Sequence, residues 1–298
     1  MRPAARPAAT TDDVLGGLAI RHEAYARKGP VLATQARRLG SRREHRATPW
    51  VLDRGDGVLV STLVCHPLTL ALDGRVIPAY GLGSVGTPVA ERRKGYAAEL
   101  CRAACEANEA AGRPVGLLFS DVAPAYYERL GFRSAPFTQF RCERLLELAD
   151  SGEAASLAPL DPRLEVERLA AAWAAHHRGV LHPHRDAARF LESVEDAADD
   201  WFLTTGDPAR TYVRLCREPD GWVDIVEWIL DDPAREPAVF RAVARLALDA
   251  GGANLSGWMK PPESVGAWCT QSESKAHVPM LRGAPPHATA RFCRSDHF

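Results

Sequence analysis

From Val14 onward the apolar positions Val14, Leu15, Leu18, Ala19, Ala24 and Tyr25 recur at roughly helical spacing. The acidic pair Asp12–Asp13 opens this helix and Gly29–Pro30 stops it. A second helix is expected over residues 31–39, ended by Gly40. At Trp50 the texture changes. Trp50-Val51-Leu52, the turn residues 53–57 and the run Val58 to Cys65 read as a hairpin with one core-facing run. Asp73–Gly74 is a second turn, leading into an extended segment over 76–85. Gly81 and Gly83 interrupt that segment, which points to a bulge or a close backbone approach. Helical spacing returns over 95–111 and ends at Gly112, and Val115-Gly116-Leu117-Leu118-Phe119-Ser120 reads as a buried strand. Strand, helix, strand is a right-handed crossover whose strands are parallel. Pro124 then starts a short helix that ends at Gly131, and residues 137–142 supply a following strand.

Residues 147–165 are rich in Ala, Ser, Asp and Pro and form the best boundary. The expected organisation is a first domain over 1–146, a linker over 147–163 and a second domain over 164–298. In the second half a helix is expected over 164–176 and strands over 211–215 and 222–230, separated by Glu218-Pro219-Asp220-Gly221. A helix over 238–250, ended by Gly251–Gly252, and a strand over 255–259 follow. This repeats the meander-then-helix order of the first half without a clear sequence repeat, and describes a second, smaller α+β domain.

Composition narrows the classes. At 298 residues, 46% hydrophobic and 25% charged with a net charge of -1, the chain is globular, and nothing in the balance calls for nucleic acid as a partner. The average hides an asymmetry: residues 1–50 carry ten Lys/Arg against four Asp/Glu, and residues 143–200 carry six against thirteen. The basic cluster Arg37, Arg38, Arg42, Arg43 and Arg46 reads as a solvated helix end or as an attractor for an anion, with no interleaved aromatics to favour nucleic acid. Seven cysteines, an odd number in a long chain, read as reduced thiols in a cytoplasmic protein. No run approaches the roughly 20 apolar residues that span a bilayer, so no membrane association is expected.

The segment that carries chemistry runs from Gly83 through Glu91-Arg92-Arg93-Lys94-Gly95-Tyr96-Ala97. It sets a basic, glycine-containing turn between a strand and a helix. The first amides of a helix lack intrahelical acceptors, so with the helix dipole they form an anion cradle. Gly95 lets a phosphate approach the backbone, and Arg92, Arg93 and Lys94 add charge. An ordinary basic surface turn would look the same in isolation, and neither the dinucleotide nor the nucleoside-triphosphate loop spacing is present.

With Ser120-Asp121-Val122-Ala123-Pro124-Ala125-Tyr126-Tyr127-Glu128-Arg129-Leu130-Gly131-Phe132 added, residues 5–143 resemble the GCN5-related N-acetyltransferase (GNAT) superfamily. Arg92-Arg93-Lys94-Gly95-Tyr96-Ala97 matches that family's pyrophosphate motif, and Tyr126 to Phe132 matches its aromatic pair leading to Gly-Phe. The spans 76–100 and 118–132 also look like a lysine N-acetyltransferase branch. The resemblance implies an α+β fold whose mixed central sheet has parallel strands that splay apart, with 77–85 as the fourth strand, 115–120 as the fifth and a degenerate GNAT-like half behind them. It implies acetyl-CoA, or another acyl-CoA, as cosubstrate between those strands. Val85, Thr87, Arg92, Arg93, Lys94, Gly95, Tyr96 and Ala97 then bind it, and Tyr127 is the acid that protonates the leaving thiolate.

An amine of pKa near 10.4 is neutral in only about one part in 2,500 at pH 7, so the acceptor must lose a proton before it attacks a thioester. Asp121, at the carboxyl end of a parallel strand, is a candidate base or simply a cap for the next helix, and Glu91 is another candidate base. A backbone N–H within 82–85 would serve the oxyanion. Tyr127 has the alternative of packing beside Phe132, and Tyr126 reads as core or substrate wall. His176, His177, His182 and His184 match no closed zinc pattern, Cys101 and Cys105 share a helix face as small buried residues, and Trp222, Trp228, Trp258 and Trp268 read as core or domain interface. The leading expectation is an N-acetyltransferase acting on a small-molecule or peptide amine. A non-catalytic acyl-CoA sensor and an unrelated nucleotide-binding α/β protein are the alternatives.

Overall fold

The computed structural model describes residues 3–25, 30–31, 45–195, 197, 199–218, 220–272 and 277–296. The helix expected over 31–39 and the cluster Arg37, Arg38, Arg42 and Arg43 lie outside the described residues. Strand β1 (Ala4–Pro7) pairs antiparallel with β2 (Thr48–Asp53), and between them runs α1 (Thr11–Ala24). Thr10 caps α1 in a reciprocal capping box with Asp13, so Asp13 is part of the cap and Asp12 is not. The Asp13 carboxylate also accepts both terminal nitrogens of Arg6 on β1, tying helix to strand.

The hairpin of β3 (Leu59–Leu72) and β4 (Arg75–Gly86) turns at Asp73 and Gly74, both with left-handed φ. Strand β3 runs past the Cys65 at which the sequence pattern stopped it, through Pro67. That proline lies beyond the last β2 pair, Thr48 with Cys65, where a missing N–H breaks no bond to β2. Helix α2 (Tyr96–Ala110) crosses over to β5 (Val115–Ser120), which lies parallel to β4. Then come α3 (Ala125–Glu128), β6 (Arg133–Ser134), β7 (Gln139–Cys142) and α4 (Leu145–Asp150). The span read as a linker opens on α4, whose buried Leu145, Leu148 and Ala149 join the core of the second sheet.

The second half contains β8 (Ala158–Pro159), α5 (Val166–His176), β9 (His182–Pro183), α6 (Ala187–Glu195), β10 (Trp201–Thr204), β11 (Thr211–Arg217), β12 (Trp222–Leu230), α7 (Glu236–Asp249), β13 (Asn254–Gly257), β14 (Thr270–Ser272) and β15 (Val278–Arg282). Strand order in the first sheet is β1-β2-β3-β4-β5-β15-β6, with β9 also on β3, and in the second β8-β10-β11-β12-β13-β7-β14. Every neighbouring pair along both paths is antiparallel except the central β4–β5 and β12–β13, which are parallel. The two sheets therefore have one topology, written twice, and the mixed α+β architecture expected from the sequence is present.

Sheet membership does not follow chain order. Strand β7, from the span 1–146, lies in the second sheet between β13 and β14, and β15, from the span 164–298, lies in the first between β5 and β6. Each sheet thus borrows its sixth strand from the other half.

Candidate active site

Strands β4 and β5 pair from Ala79–Val115 to Leu82–Leu118 and no further. Beyond that point β4 stays with β3 as far as Gly86, and β5 stays with β15 as far as Ser120, so each follows its outer neighbour and the two part. A bulge sharpens the divergence. Thr62 faces Gly86 and Val64 faces Gly83, which leaves Ser84 and Val85 against Leu63, with Ser84 in the left-handed region at φ 53°. Gly86 lets α1 close on this strand, since a Cβ there would stand 3.2 Å from the Ala24 methyl. The Tyr25 hydroxyl, just past α1, donates to the Val85 carbonyl at 3.1 Å.

The loop from Thr87 to Gly95 sits at the opening of this wedge. Gly95, at φ 88°, is the N-cap of α2 and offers no side chain to its first amides. A Cβ at Gly95 would meet nothing within 4 Å, so space lies open in front of those amides. The basic residues divide by role. Arg92 donates to the carbonyls of Thr87 and Ala24, at 3.2 and 3.3 Å, and so holds the loop to the end of α1. Lys94 pairs with Glu91 at 2.9 Å, and Glu91 also meets Arg54 at 3.3 Å, so Glu91 ties the two cations to the loop. Arg93 is exposed, carries φ 67° and has no partner among the described residues. Thr87 shares a hydrogen bond with Ser61, 3.1 Å between hydroxyl oxygens. Tyr96 and Ala97 form the first turn of α2, and Val85 sits at the wedge. These residues fit a diphosphate with a slender uncharged arm: open uncapped amides, an uncommitted guanidinium and a gap between strands.

Past the carboxyl end of β5, Tyr127 on α3 is buried among Leu118, Leu130 and Phe132, its ring edge-on to Tyr126 at 4.9 Å and Phe132 at 6.1 Å. Burial, with lesser contributions from Cys101, Tyr126, Tyr25 and Asp121, pushes its phenol well above the usual range. The Tyr126 hydroxyl is buried without a hydrogen-bond partner among the described residues and is pushed up to about 12, mainly by burial. Asp121 does not cap α3, whose N-cap is Pro124 with no side-chain bond, and Ser120 instead bonds Val122. One Asp121 oxygen lies 2.7 Å from Nδ1 of His277 and accepts the His277 backbone N–H at 3.3 Å. His277 precedes β15, directly beyond the Ser120–Val278 pair. The close approach of the Asp121 carboxylate raises the His277 pKa above the usual value, against a smaller loss from burial. Its ring stacks on Trp258 at 5.8 Å, and Trp258 in turn meets Phe119 and Phe137.

His277 has no place in the sequence-level reading, because the strand that delivers it is five residues long and carries Pro279. Its only local signal is the short apolar run before Gly283. The tryptophans divide: Trp228 and Trp268 pack on the core of the second sheet, and Trp258 joins the two halves. His177 lies between Trp173 and His182, held to about 2 chiefly by burial, and no metal-binding group is found among the described residues.

A cavity of about 420 Å³ separates the two halves, lined in part by His66, Leu68, Leu117, Glu192, Asp200 and Arg214. Its floor is a buried charge network. Arg185 bonds Glu227 at 2.5 Å and Asp296 at 2.6 Å, Arg214 bonds Asp200 at 2.6 Å and Glu227 at 3.1 Å, and the Tyr212 hydroxyl donates to Glu227 at 2.8 Å. The acidic middle segment reaches this cavity through Glu192 and Asp200, both already paired with arginines.

Residues 6–135 match the family model for the acetyltransferase (GNAT) domain. Among solved structures, a GCN5-related N-acetyltransferase from Kribbella flavida is 16% identical, with 94% of this chain and 71% of that chain covered at a TM-score of 0.70. A probable N-acyltransferase from Enterococcus faecalis is 11% identical over 94% and 72%, with a TM-score of 0.71. A tandem GNAT protein from the clavulanic acid biosynthesis pathway is 13% identical over 95% and 99%, with a TM-score of 0.59. No curated protein matches the sequence. The family match is thus confined to residues 6–135, the solved structures share the fold across both sheets, and nothing in either singles out a lysine-acetylating branch. No helix among the described residues is long and apolar enough to cross a membrane.

Proposed function

We propose that this GNAT-fold chain is a cytoplasmic acyl-CoA-dependent N-acyltransferase that acylates a primary amine, on a small molecule or a peptide, by direct attack. The observation that carries the reading is the parting of β4 from β5 after Leu82 and Leu118, with the uncapped N-terminus of α2 at its opening. Val85, Thr87, Arg93, Gly95, Tyr96 and Ala97 would hold the coenzyme, while Arg92 and Lys94 brace the loop. Bound there, acetyl-CoA supplies an activated thioester.

The chain's own groups then have separate tasks. Backbone amides at the β4 bulge face developing negative charge without having to reorganise. Tyr127 keeps its proton through burial and holds it on the phenolic oxygen for the sulfur that departs. Asp121 fixes His277 through Nδ1, which leaves Nε2 to take the proton of the incoming ammonium. The pairing raises the basicity of His277. The half-exposed position of both residues gives an acceptor access from solvent.

The test is an acetyl-CoA turnover screen over small amines, aminoglycosides and basic peptides, with thiol release and acylated product both measured. Acceptor-dependent turnover is expected, falling about 100-fold in kcat for Tyr127→Phe with acetyl-CoA affinity unchanged. Tight coenzyme binding with no turnover on any acceptor would leave a binding module in place of an enzyme.

A further inference from the structure

The second sheet repeats the wedge. Its parallel strands β12 and β13 pair from Trp222–Asn254 to Ile225–Gly257 and then part, while β12 continues to Leu230. A bulge again marks the divergence: Arg214 faces Glu227 and Leu215 faces Ile225, which leaves Val226 as the extra residue. A cavity of about 290 Å³ occupies this place, lined by Val226, Trp228, Trp258, Met259 and Phe292 among others. It is the counterpart, in the second half, of the gap between β4 and β5.

The phosphate end has no counterpart. Where the first half has Arg92 to Ala97, the second has Asp231-Asp232-Pro233-Ala234-Arg235-Glu236-Pro237, without a glycine and with three carboxylates. Asp232 bonds the Ala234 amide at 3.0 Å, and Pro237 removes a donor from the first turn of α7. A diphosphate would find few free amides and a repulsive field.

The charged groups at the slot are mostly spoken for. Glu227 is held by Arg185, Arg214 and Tyr212, and Lys260 pairs with Glu263 at 3.5 Å, while Arg291 donates to Nε2 of His176 at 3.3 Å and keeps its charge, leaving Glu236 as the acidic group that faces it. His176 and His177 are kept neutral, chiefly by burial, at about 4 and about 2. Glu236 is half-buried, has no ion pair with a described residue and has its pKa raised by burial, against a smaller opposing effect of Arg291. A desolvated carboxylate beside indole rings is an environment for an organic cation, which gains both the charge and the ring faces.

We propose that this slot is a second binding site, specific for a small ammonium ion carried on an aromatic or other apolar body, and that it takes no coenzyme. The site is distinct from the coenzyme cradle, because its recognition uses neither α2 nor Tyr127, and it meets the acyl-transfer site only at Trp258, which stacks on His277. Calorimetric titration of the full chain, without acetyl-CoA, with 2-phenylethylammonium, 2-phenylethanol, phenylacetate and pantetheine is the test. The ammonium should bind at least about tenfold more tightly than the alcohol, and phenylacetate more weakly still. Glu236→Gln should bring the ammonium down to the level of the alcohol, and Met259→Trp, which fills the slot, should abolish both, with acetyl-CoA affinity unchanged in each variant. Equal affinity for ammonium and alcohol, preference for phenylacetate or pantetheine, no binding by any probe at millimolar concentration, or an unaffected Glu236→Gln would each overturn the proposal.

Discussion

Gly95→Ala separates the role of Gly95 in folding from its role in binding. At φ 88° an alanine is strained by about 1–2 kcal/mol, so the midpoint of thermal unfolding should fall by a few degrees. The same strain is present with and without ligand and cannot by itself change affinity. The added methyl does, because it projects into the open space before the α2 amides, where nothing lies within 4 Å. Displacing a diphosphate there weakens at least one charge-assisted hydrogen bond, about 1.5–3 kcal/mol, or a loss of roughly 10- to 150-fold in acetyl-CoA affinity. Gly74→Ala is the matched control. It has φ 77°, equally open surroundings and a place in the β3–β4 turn, so it should cost similar stability and leave the affinity alone. Calorimetric acetyl-CoA titration and thermal unfolding of both variants decide the matter. Equal affinities for the two, or an unimpaired Gly95→Ala, would refute the cradle.

Three further outcomes are expected. Arg93→Gly should raise stability by about 1 kcal/mol by relieving a left-handed residue, while weakening acetyl-CoA and flattening the salt dependence of its binding. Glu227→Gln should cost about 3–5 kcal/mol in denaturant unfolding at pH 7, because it strands Arg185 and Arg214 in the interior. Burial acts to raise the Glu227 pKa, but the two arginines outweigh it and hold the carboxyl at about 2, below its unfolded value. Its contribution is therefore complete above about pH 4.5 and is lost as pH falls toward 2, and the gap between wild type and variant should close over that window. A fragment of residues 1–146 should aggregate, since without β15 the edges of β5 and β6 are bare. Adding residues 277–284 to that fragment as a separate peptide should restore solubility if the missing pairing is the cause.

Much of the site was legible because its parts are local. The end of α2 at Gly95, the short helix before Gly131 and the buried strand 115–120 are each marked by residues within one turn of the feature. The parting of β4 from β5 needed the family resemblance, since nothing in periodicity tells where two parallel strands stop pairing. The partner of Asp121 was out of reach: His277 is 156 positions away, on a strand too short for alternation to reveal. For the same reason residues 137–142 read correctly as a strand yet gave no sign of which sheet they join, because sheet membership is settled by long-range pairing and not by local pattern. The roles of Arg92 and Lys94 as braces also depend on partners, Ala24 and Glu91, that composition cannot assign.

The exchange of β7 and β15 has a consequence for how the molecule is made. On the ribosome, the first sheet has β1 to β6 in hand long before Val278 to Arg282 emerge to close it. At ~5–20 residues per second the wait is on the order of ten seconds or more. During that interval the nascent chain carries an open β5 edge next to Tyr127 and the β4–β5 wedge, so a chaperone, or a ligand of the wedge, would meet this half before its final strand exists.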